Sequence, residues 1–453
     1  MTFKRTHLKA LEHWKGKENR KPLLLRGARQ VGKTTLIKDF ASQYKHQITL
    51  NLERKADLAF FQNYDDAVSI TEALLATYNI PSKEKEQTLL FIDEIQELPA
   101  AIAMLRYFYE DLPELHLIAA GSLLEHLMQE VKNIPVGRLE FLYLHPLNFR
   151  EYLSAIEHTR ALEELQQLPP NQYAHQLLLD LFHEYAIIGG MPEVVKQYLK
   201  SKSIADLSSV YESIWVTYKE DVEKYANNKT ESRVISHIMN TAHLYLDQRI
   251  KFQNFGNSNY RSREVGEAMR KLDDARVIQL IYPSADVEAP LKVDLRKSPR
   301  LQFLDTGLVN HELKIQAELL ALKDLSNAYK GALIPHLITQ ELISLNSTQY
   351  SKPNFWVREK TQSSAEVDLI LQKGSQLIPI EIKSGAEGKL KSLHQFIEQC
   401  DHPYAVRMYA GEFSIEEHRT PIKKKPFYLM NLPYYFGTML PQYLNYFLKN
   451  YTL

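Results

Sequence analysis

The chain has 453 residues, 44% of them apolar and 24% charged, an ordinary balance for a globular protein. Its 55 Lys and Arg equal its 55 Asp and Glu, so no global field favours nucleic acid and any such binding must rest on local patches. The single cysteine, Cys400, excludes an internal disulfide and a cysteine metal cluster, and no run of about 18 apolar residues is present to cross a membrane.

One thiol, and an N-terminus dotted with Lys and Arg but without an apolar segment, predict a cytoplasmic protein with no signal peptide and no membrane partner. The length predicts several domains. Composition and pattern divide the chain into 1–150, 151–229, 230–310 and 325–453.

Pro22-Leu23-Leu24-Leu25 reads as a strand that runs into Gly27-Ala28-Arg29-Gln30-Val31-Gly32-Lys33-Thr34, a complete G-x-x-x-x-G-K-T. Thr35, Leu36, Ile37, Phe40 and Ala41 continue as a helix. Strand, glycine-rich turn and helix N-terminus together make a phosphate cradle, because glycines let backbone N–H groups turn inward and the helix adds a positive pole. The pattern predicts ATP at residues 27–34, with Lys33 on the β- and γ-phosphates and the Thr34 hydroxyl on Mg²⁺.

Gln47–Leu52 alternates as a second strand, and residues 66–78 read as an amphipathic helix. Thr88-Leu89-Leu90-Phe91-Ile92 is a continuous apolar strand, suited to a parallel sheet covered on both faces, and it ends in Asp93-Glu94. At that carboxyl end Asp93 would hold Mg²⁺ opposite Thr34, and Glu94 would orient and deprotonate the attacking water. The bland alternative is that both acids cap the helix that follows. A third strand, Leu115–Ala120, ends in Gly121-Ser122, where Ser122 can face the γ-phosphate and also cap a helix predicted from Leu123 to Met128.

These motifs, with Val136-Gly137-Arg138 and Leu144-His145-Pro146-Leu147-Asn148-Phe149-Arg150-Glu151-Tyr152, resemble a group of prokaryotic AAA-type P-loop ATPases with a nuclease-like C-terminal domain of uncertain function. The resemblance implies a doubly wound parallel sheet followed by a helical lid and a winged helix. It implies Arg138 as the γ-phosphate arginine, in cis or across a subunit boundary of a homo-oligomer.

Residues 150–225 are helical in pattern, broken at Gly189-Gly190-Met191-Pro192, where glycine follows one helix and proline opens the next. His183-Glu184 lacks the second histidine of a zinc helix, since Ile187 stands there. From Ser262 to Ile278 the apolar spacing predicts a helix carrying Arg261, Arg263, Arg270, Lys271 and Arg276, followed by strands at 277–282 and 300–304. Helices followed by a hairpin suggest a winged helix that contacts DNA. Residues 231–300 hold 12 Lys/Arg against 9 Asp/Glu, so a protein-contacting winged helix remains open.

Glu366–Leu371 and Leu377–Lys383 alternate as strands joined at Lys373-Gly374. Asp368, Glu381 and Lys383 have the order D…E-x-K, with Glu381 and Lys383 on one strand face and Asp368 on the neighbouring strand. Two carboxylates can bind Mg²⁺ and the lysine can orient water for phosphodiester attack. The trio, followed by Ser384-Gly385, is similar to the core of PD-(D/E)XK restriction-endonuclease-like enzymes. That family's acid on the domain's first helix is missing after Gly331-Ala332-Leu333, leaving Glu341 as a substitute. A same-face ion pair without catalysis is the competing reading. Lys423-Lys424-Lys425 reads as a solvated turn, and the aromatic tail from Tyr434 as core.

Two functions follow. In one, an ATPase is coupled to DNA binding or processing; in the other, ATP drives a regulatory switch and the C-terminal domain is an inactive partner-binding module.

Overall fold

The computed structural model describes all residues except 1, 123–136, 224–225, 322–324, 326–330, 361–362, 384–389 and 453. The predicted helix from Leu123 to Met128, Val136 and the Ser384-Gly385 pair lie outside the described residues. The chain forms two compact units, Met1–Pro146 with Asp274–Arg276 and Asn346–Tyr350, and Leu147–Asp273 with Val277–Leu345 and Ser351–Leu453.

The first unit is built on strands β1 (Leu23–Arg26), β2 (His46–Asn51), β3 (Thr88–Asp93), β4 (His116–Ala120) and β5 (Glu140–Tyr143). They form one parallel sheet in the order β2-β3-β4-β1-β5. Every residue of β1, β3 and β4 is buried, as parallel strands covered on both faces require. Helices Ala67–Thr77 and Pro99–Asp111 place Ile70, Leu74, Ile102 and Leu105 in a core with Ile48, Leu90, Ile92 and Leu117. Asp66 caps the first of these, accepting from Ser69 N at 2.8 Å. Because all strands run one way and β4 lies between β1 and β3, the carboxyl ends of these three are neighbours on one edge. That edge is where open α/β sheets bind ligands.

In the second unit, helices His175–Ile188, Pro192–Ser201, Ser208–Glu223, Lys229–Thr241 and Ser262–Asp274 precede β6 (Ile278–Ile281) and the short β7 (Pro283–Ser284). The last of these helices stops at Asp274, four residues short of the sequence expectation, and Arg276 adopts a left-handed φ of 64°. β8 (Arg300–Phe303) pairs antiparallel with β6. Strands β9 (Asn354–Lys360), β10 (Ser363–Lys373), β11 (Gln376–Ile382), β12 (Tyr404–Tyr409), β13 (Ser414–Arg419) and β14 (Pro426–Pro433) complete a seven-stranded sheet, β13-β14-β12-β11-β10-β9-β7. β9, β10 and β11 are antiparallel, whereas β12 runs parallel to both β11 and β14. The pairing of β10 with β9 slips by one residue between Val367 and Ile370, a bulge that contains Asp368. The aromatic tail is core: Tyr434, Tyr435, Phe436, Tyr443 and Phe447 are all buried. Lys425 is drawn out of its basic run to the carbonyl of Ile397 at 2.9 Å, at the end of helix Lys391–Ile397.

Candidate nucleotide site and a carboxylate cluster

The turn from β1 into helix Lys33–Ala41 carries three residues with positive φ: Gly27 at 152°, Gln30 at 60° and Gly32 at 95°. Gly27 lies so close to the chain that a Cβ there would stand 2.3 Å from the Leu144 carbonyl oxygen. Only glycine fits there. Ala28 and Val31 are buried beneath it, Arg29 pairs with Glu53 at 3.6 Å, and Thr35 is exposed. Arg5, which the sequence reading passed over, braces the loop: Nη1 donates to Val31 O at 3.0 Å and Nη2 to His145 O at 2.5 Å. Nothing in local sequence links residues 26 and 140 positions apart.

The Lys33 ammonium is buried and donates to the carbonyls of Gly27 and Ala28, each at 2.9 Å. The loop's own carbonyls thus hold this ammonium inside the turn. Thr34 Oγ1 donates to Asp93 Oδ2 at 2.7 Å across the gap between helix and β3. Burial pushes the Asp93 carboxyl above its ordinary range, opposed by this bond. Glu94 sits in a left-handed conformation, φ 53°, a strained place for a residue with a Cβ. Gln96 Nε2 donates to its carboxylate at 2.5 Å, and Asp93 Oδ1 accepts from Glu94 N at 3.2 Å. Ser122, at the end of β4, is 2% exposed and its Oγ has no hydrogen-bond partner among the described residues. Arg138 is engaged by Glu110, its Nε donating at 2.9 Å.

These features suit a magnesium nucleotide: a notch that a Cβ would fill, an orphaned buried hydroxyl, and a hydroxyl–carboxylate pair with hard oxygen ligands. A parallel sheet with such a loop between its first strand and helix defines a P-loop nucleotide-binding domain. Residues 19–153 match the family described as "AAA domain", and this part of the chain is a P-loop ATPase domain of the AAA type. Two further families match beyond it, each described as a domain of unknown function, DUF8612 at residues 179–319 and DUF4143 at residues 330–430. No curated protein matches the chain. Among solved structures, the chain is similar to the Walker-type ATPase of Pyrococcus abyssi, at 16% identity and a TM-score of 0.44, over 69% of this chain and 96% of that one. It is also similar to the Aeropyrum pernix ORC1 protein, solved in complex with DNA, at 14% identity and a TM-score of 0.30, over 69% of this chain and 91% of that one.

The second unit gathers Asp368, Glu381 and Lys383. Extending the β10–β11 register beyond Leu369↔Ile380 sets Asp368 across from Glu381. Lys383 Nζ donates to Glu381 Oε1 at 2.5 Å, and Asp368 Oδ2 accepts from Ile382 N at 2.8 Å. Glu381 is buried; desolvation first, then the neighbouring Asp368 charge, raises its pKa. Arg300 of β8 enters the same cluster. Its Nε donates to Glu366 Oε1 at 2.9 Å, and Nη2 lies 3.4 Å from Asp368 Oδ1. This guanidinium was invisible as a site residue, since its carboxylate partners lie 66 and 68 positions away.

Glu341 does not join the trio. It is fully buried and accepts from Phe149 N at 3.0 Å and the Tyr185 hydroxyl at 2.9 Å. Its carboxyl group serves the N-terminus of helix Phe149–Ala155 rather than the trio, so the expectation that it stands in for the family's missing first-helix acid is corrected.

Proposed function

We propose that the chain binds and hydrolyses ATP with Mg²⁺ at the Gly27–Thr34 loop, and that nucleotide turnover is coupled to DNA binding through the residue 230–310 segment. The single observation that carries the nucleotide reading is Thr34 Oγ1 on Asp93 Oδ2 at 2.7 Å, beside the Gly27 notch. Thr34 and Asp93 would hold Mg²⁺, which supplies charge stabilisation on the phosphoryl oxygens. The backbone N–H groups of residues 27–34 orient the triphosphate, and Lys33 exchanges its carbonyl partners for phosphate oxygens. Glu94, fixed by Gln96, takes a proton from water in line with the terminal phosphate. Ser122 donates to that phosphate with its unpartnered hydroxyl. In this reading Arg138 leaves Glu110 when it reaches phosphate, in its own chain or a neighbouring copy.

The DNA half rests on exposed cations: Arg261, Arg263 and Arg270 on or beside helix Ser262–Asp274, and Arg296, whose side chain is 91% exposed. Arg263 and Arg296 are partly neutralised by Glu267 and Asp294, at 2.9 and 3.1 Å. The helices and the β6–β8 pair are read as a winged helix, and β9–β12 with Asp368, Glu381 and Lys383 as a nuclease-like core. A second reading, the ATP-driven switch with an inactive C-terminal module, is favoured by one observation: Arg300 and Lys383 already occupy the carboxylates.

Mg-ATP titration and phosphate release test the first half. Lys33→Ala is expected to lose both, and Glu94→Gln to keep binding while hydrolysis falls about 100-fold or more. Wild type that takes up no ATP overturns the reading. For the second half, DNA affinity should fall with salt and fall again on neutralising Arg261 and Arg263; a partner insensitive to both is not DNA. Cleavage of DNA in Mn²⁺ by wild type but not by Asp368→Ala separates a nuclease from the switch.

A further inference from the structure

The acids around the D…E-x-K trio are held by cations of the chain itself. Arg300, from β8, is 6% exposed and stands over the Phe355 ring at 4.5 Å. Besides Glu366 and Asp368 Oδ1, it donates from Nη1 to the Asp368 carbonyl at 3.2 Å, and Asp247 Oδ1 lies 3.9 Å from Nη1. The acidic rim is paired in turn: Glu359 holds Arg249 at 2.7 Å and Lys297 at 3.2 Å. One acceptor is left over. Glu381 Oε2 is buried and has no partner among the described residues, although Oε1 is taken by Lys383. A buried carboxylate oxygen without a donor is costly, and it stands beside Asp368, whose Oδ1 receives, among the described residues, only a long contact from Arg300. The bulge in β10 falls at Asp368, where an extra residue re-aims a side chain.

We propose that Asp368 and Glu381, with Asp247 nearby, form a divalent-cation site that Arg300 keeps closed. The guanidinium, on Asp368 Oδ1 and its carbonyl, supplies its positive charge beside the carboxylates that would ligate the ion, and competes with it by charge repulsion. Anchoring of Arg300 to Glu366 therefore decides whether the carboxylates bind metal, and a partner that draws Arg300 outward would open the site. This rests on the cation-binding reading of Asp368 and Glu381 given above, and it explains how the two functional readings can both describe this chain: closed, the second unit is inert; open, it can take the ion.

The test is Mn²⁺ titration of the nucleotide-free full-length chain, comparing wild type, Arg300→Gln, Glu366→Gln and each variant combined with Asp368→Asn. Glu366→Gln loosens the guanidinium's anchor without removing it, and so serves where Arg300→Gln folds poorly; thermal melts with and without Mn²⁺ report the same site. Both variants are expected to gain one Mn²⁺ bound at least about tenfold more tightly than by wild type, with a Mn²⁺-dependent rise in Tm, both lost with Asp368→Asn. Wild type that binds Mn²⁺ as tightly as the variants, and through Asp368, overturns the closure while leaving the carboxylates a cation site. Folded variants that bind none overturn both the closure and the cation-site reading.

Discussion

At Gly27 the geometry leaves no room for any other residue. A Cβ would meet the Leu144 oxygen at 2.3 Å, and the φ of 152° is strained for L side chains. Gly27→Ala must either push the loop from the 144–145 segment or distort the turn, at a cost of about 2 kcal/mol or more. Because the loop's N–H groups must converge on one ligand, Mg-ATP affinity is expected to fall about thirtyfold or more while the far-UV CD stays unchanged. Calorimetric titration reads this directly, and wild-type affinity would sink the cradle geometry. A different residue-scale test concerns Glu341, whose pKa burial pushes up to about 8 from 4.5 despite its two donors, Phe149 N and the Tyr185 hydroxyl. The folded state then holds a proton that the unfolded chain releases near 4.5, so this contribution is complete below that pH and is lost as pH rises through about 8. Glu341→Gln cannot ionise. Its stability relative to wild type should improve by roughly 2 to 4 kcal/mol between pH 5 and pH 9, as read by urea unfolding. Equal pH dependence in the two proteins would mean that Glu341 is ionised throughout.

Elements were legible in the sequence wherever their cause is local. The β1–loop–helix unit follows from Pro22–Ala41 alone, since apolar run, glycines and amphipathic spacing are consecutive. β3 was visible from its unbroken apolar stretch, and the Asp93 and Glu94 positions came with it. What the sequence hid has causes far along the chain: Arg5 on Val31, Arg300 on Asp368, Glu341 on Phe149. The Gly189-Gly190 pair shows both kinds. Its helix-ending role is local, but Gly190 also lets two segments touch: a Cβ would stand 2.0 Å from Leu147 O, and its N–H donates to Asp305 Oδ2 at 2.5 Å. Asp305 in turn caps helix Thr306–Glu312 through Leu308 N at 3.2 Å. Three segments of the chain therefore meet at Gly190. Gly190→Ala is expected to cost about 3 kcal/mol or more, as overpacking against backbone cannot be relieved by a rotamer change. Thermal melting measures it; a Tm within about 2 °C of wild type would show that the contact yields freely.

For the whole molecule, the ATPase unit does not end where its sequence motif ends. Two short returns of the chain, Asp274–Arg276 and Asn346–Tyr350, are counted among its residues. Ser347 O accepts from Tyr143 N at 2.7 Å, satisfying an edge group of β5 that the parallel sheet leaves open. The Arg276 guanidinium lies 3.3 Å from the Tyr350 ring centroid, and the His145 ring stacks on that same tyrosine at 6.1 Å. His145 O is also the acceptor of Arg5, whose other nitrogen holds Val31 of the phosphate loop. The loop's bracing thus reaches, through packed groups of one unit, to residues that local motif reading assigns elsewhere. A fragment of residues 1–146 keeps every phosphate-loop and β3 residue but loses both returns. Its β5 edge is bared, and the His145 ring gives up its stacking partner. The fragment is expected to melt at least about 5 °C below the ATPase-unit transition of the full chain, and to bind Mg-ATP more weakly. In the full chain, Tyr350→Ala should move the same transition in the same direction, by less, because Ser347 O still closes the edge. Differential scanning calorimetry of the three proteins, with and without Mg-ATP, decides the matter: a fragment as stable and as tight in binding as the full chain would show that the returns are passengers on a self-sufficient sheet.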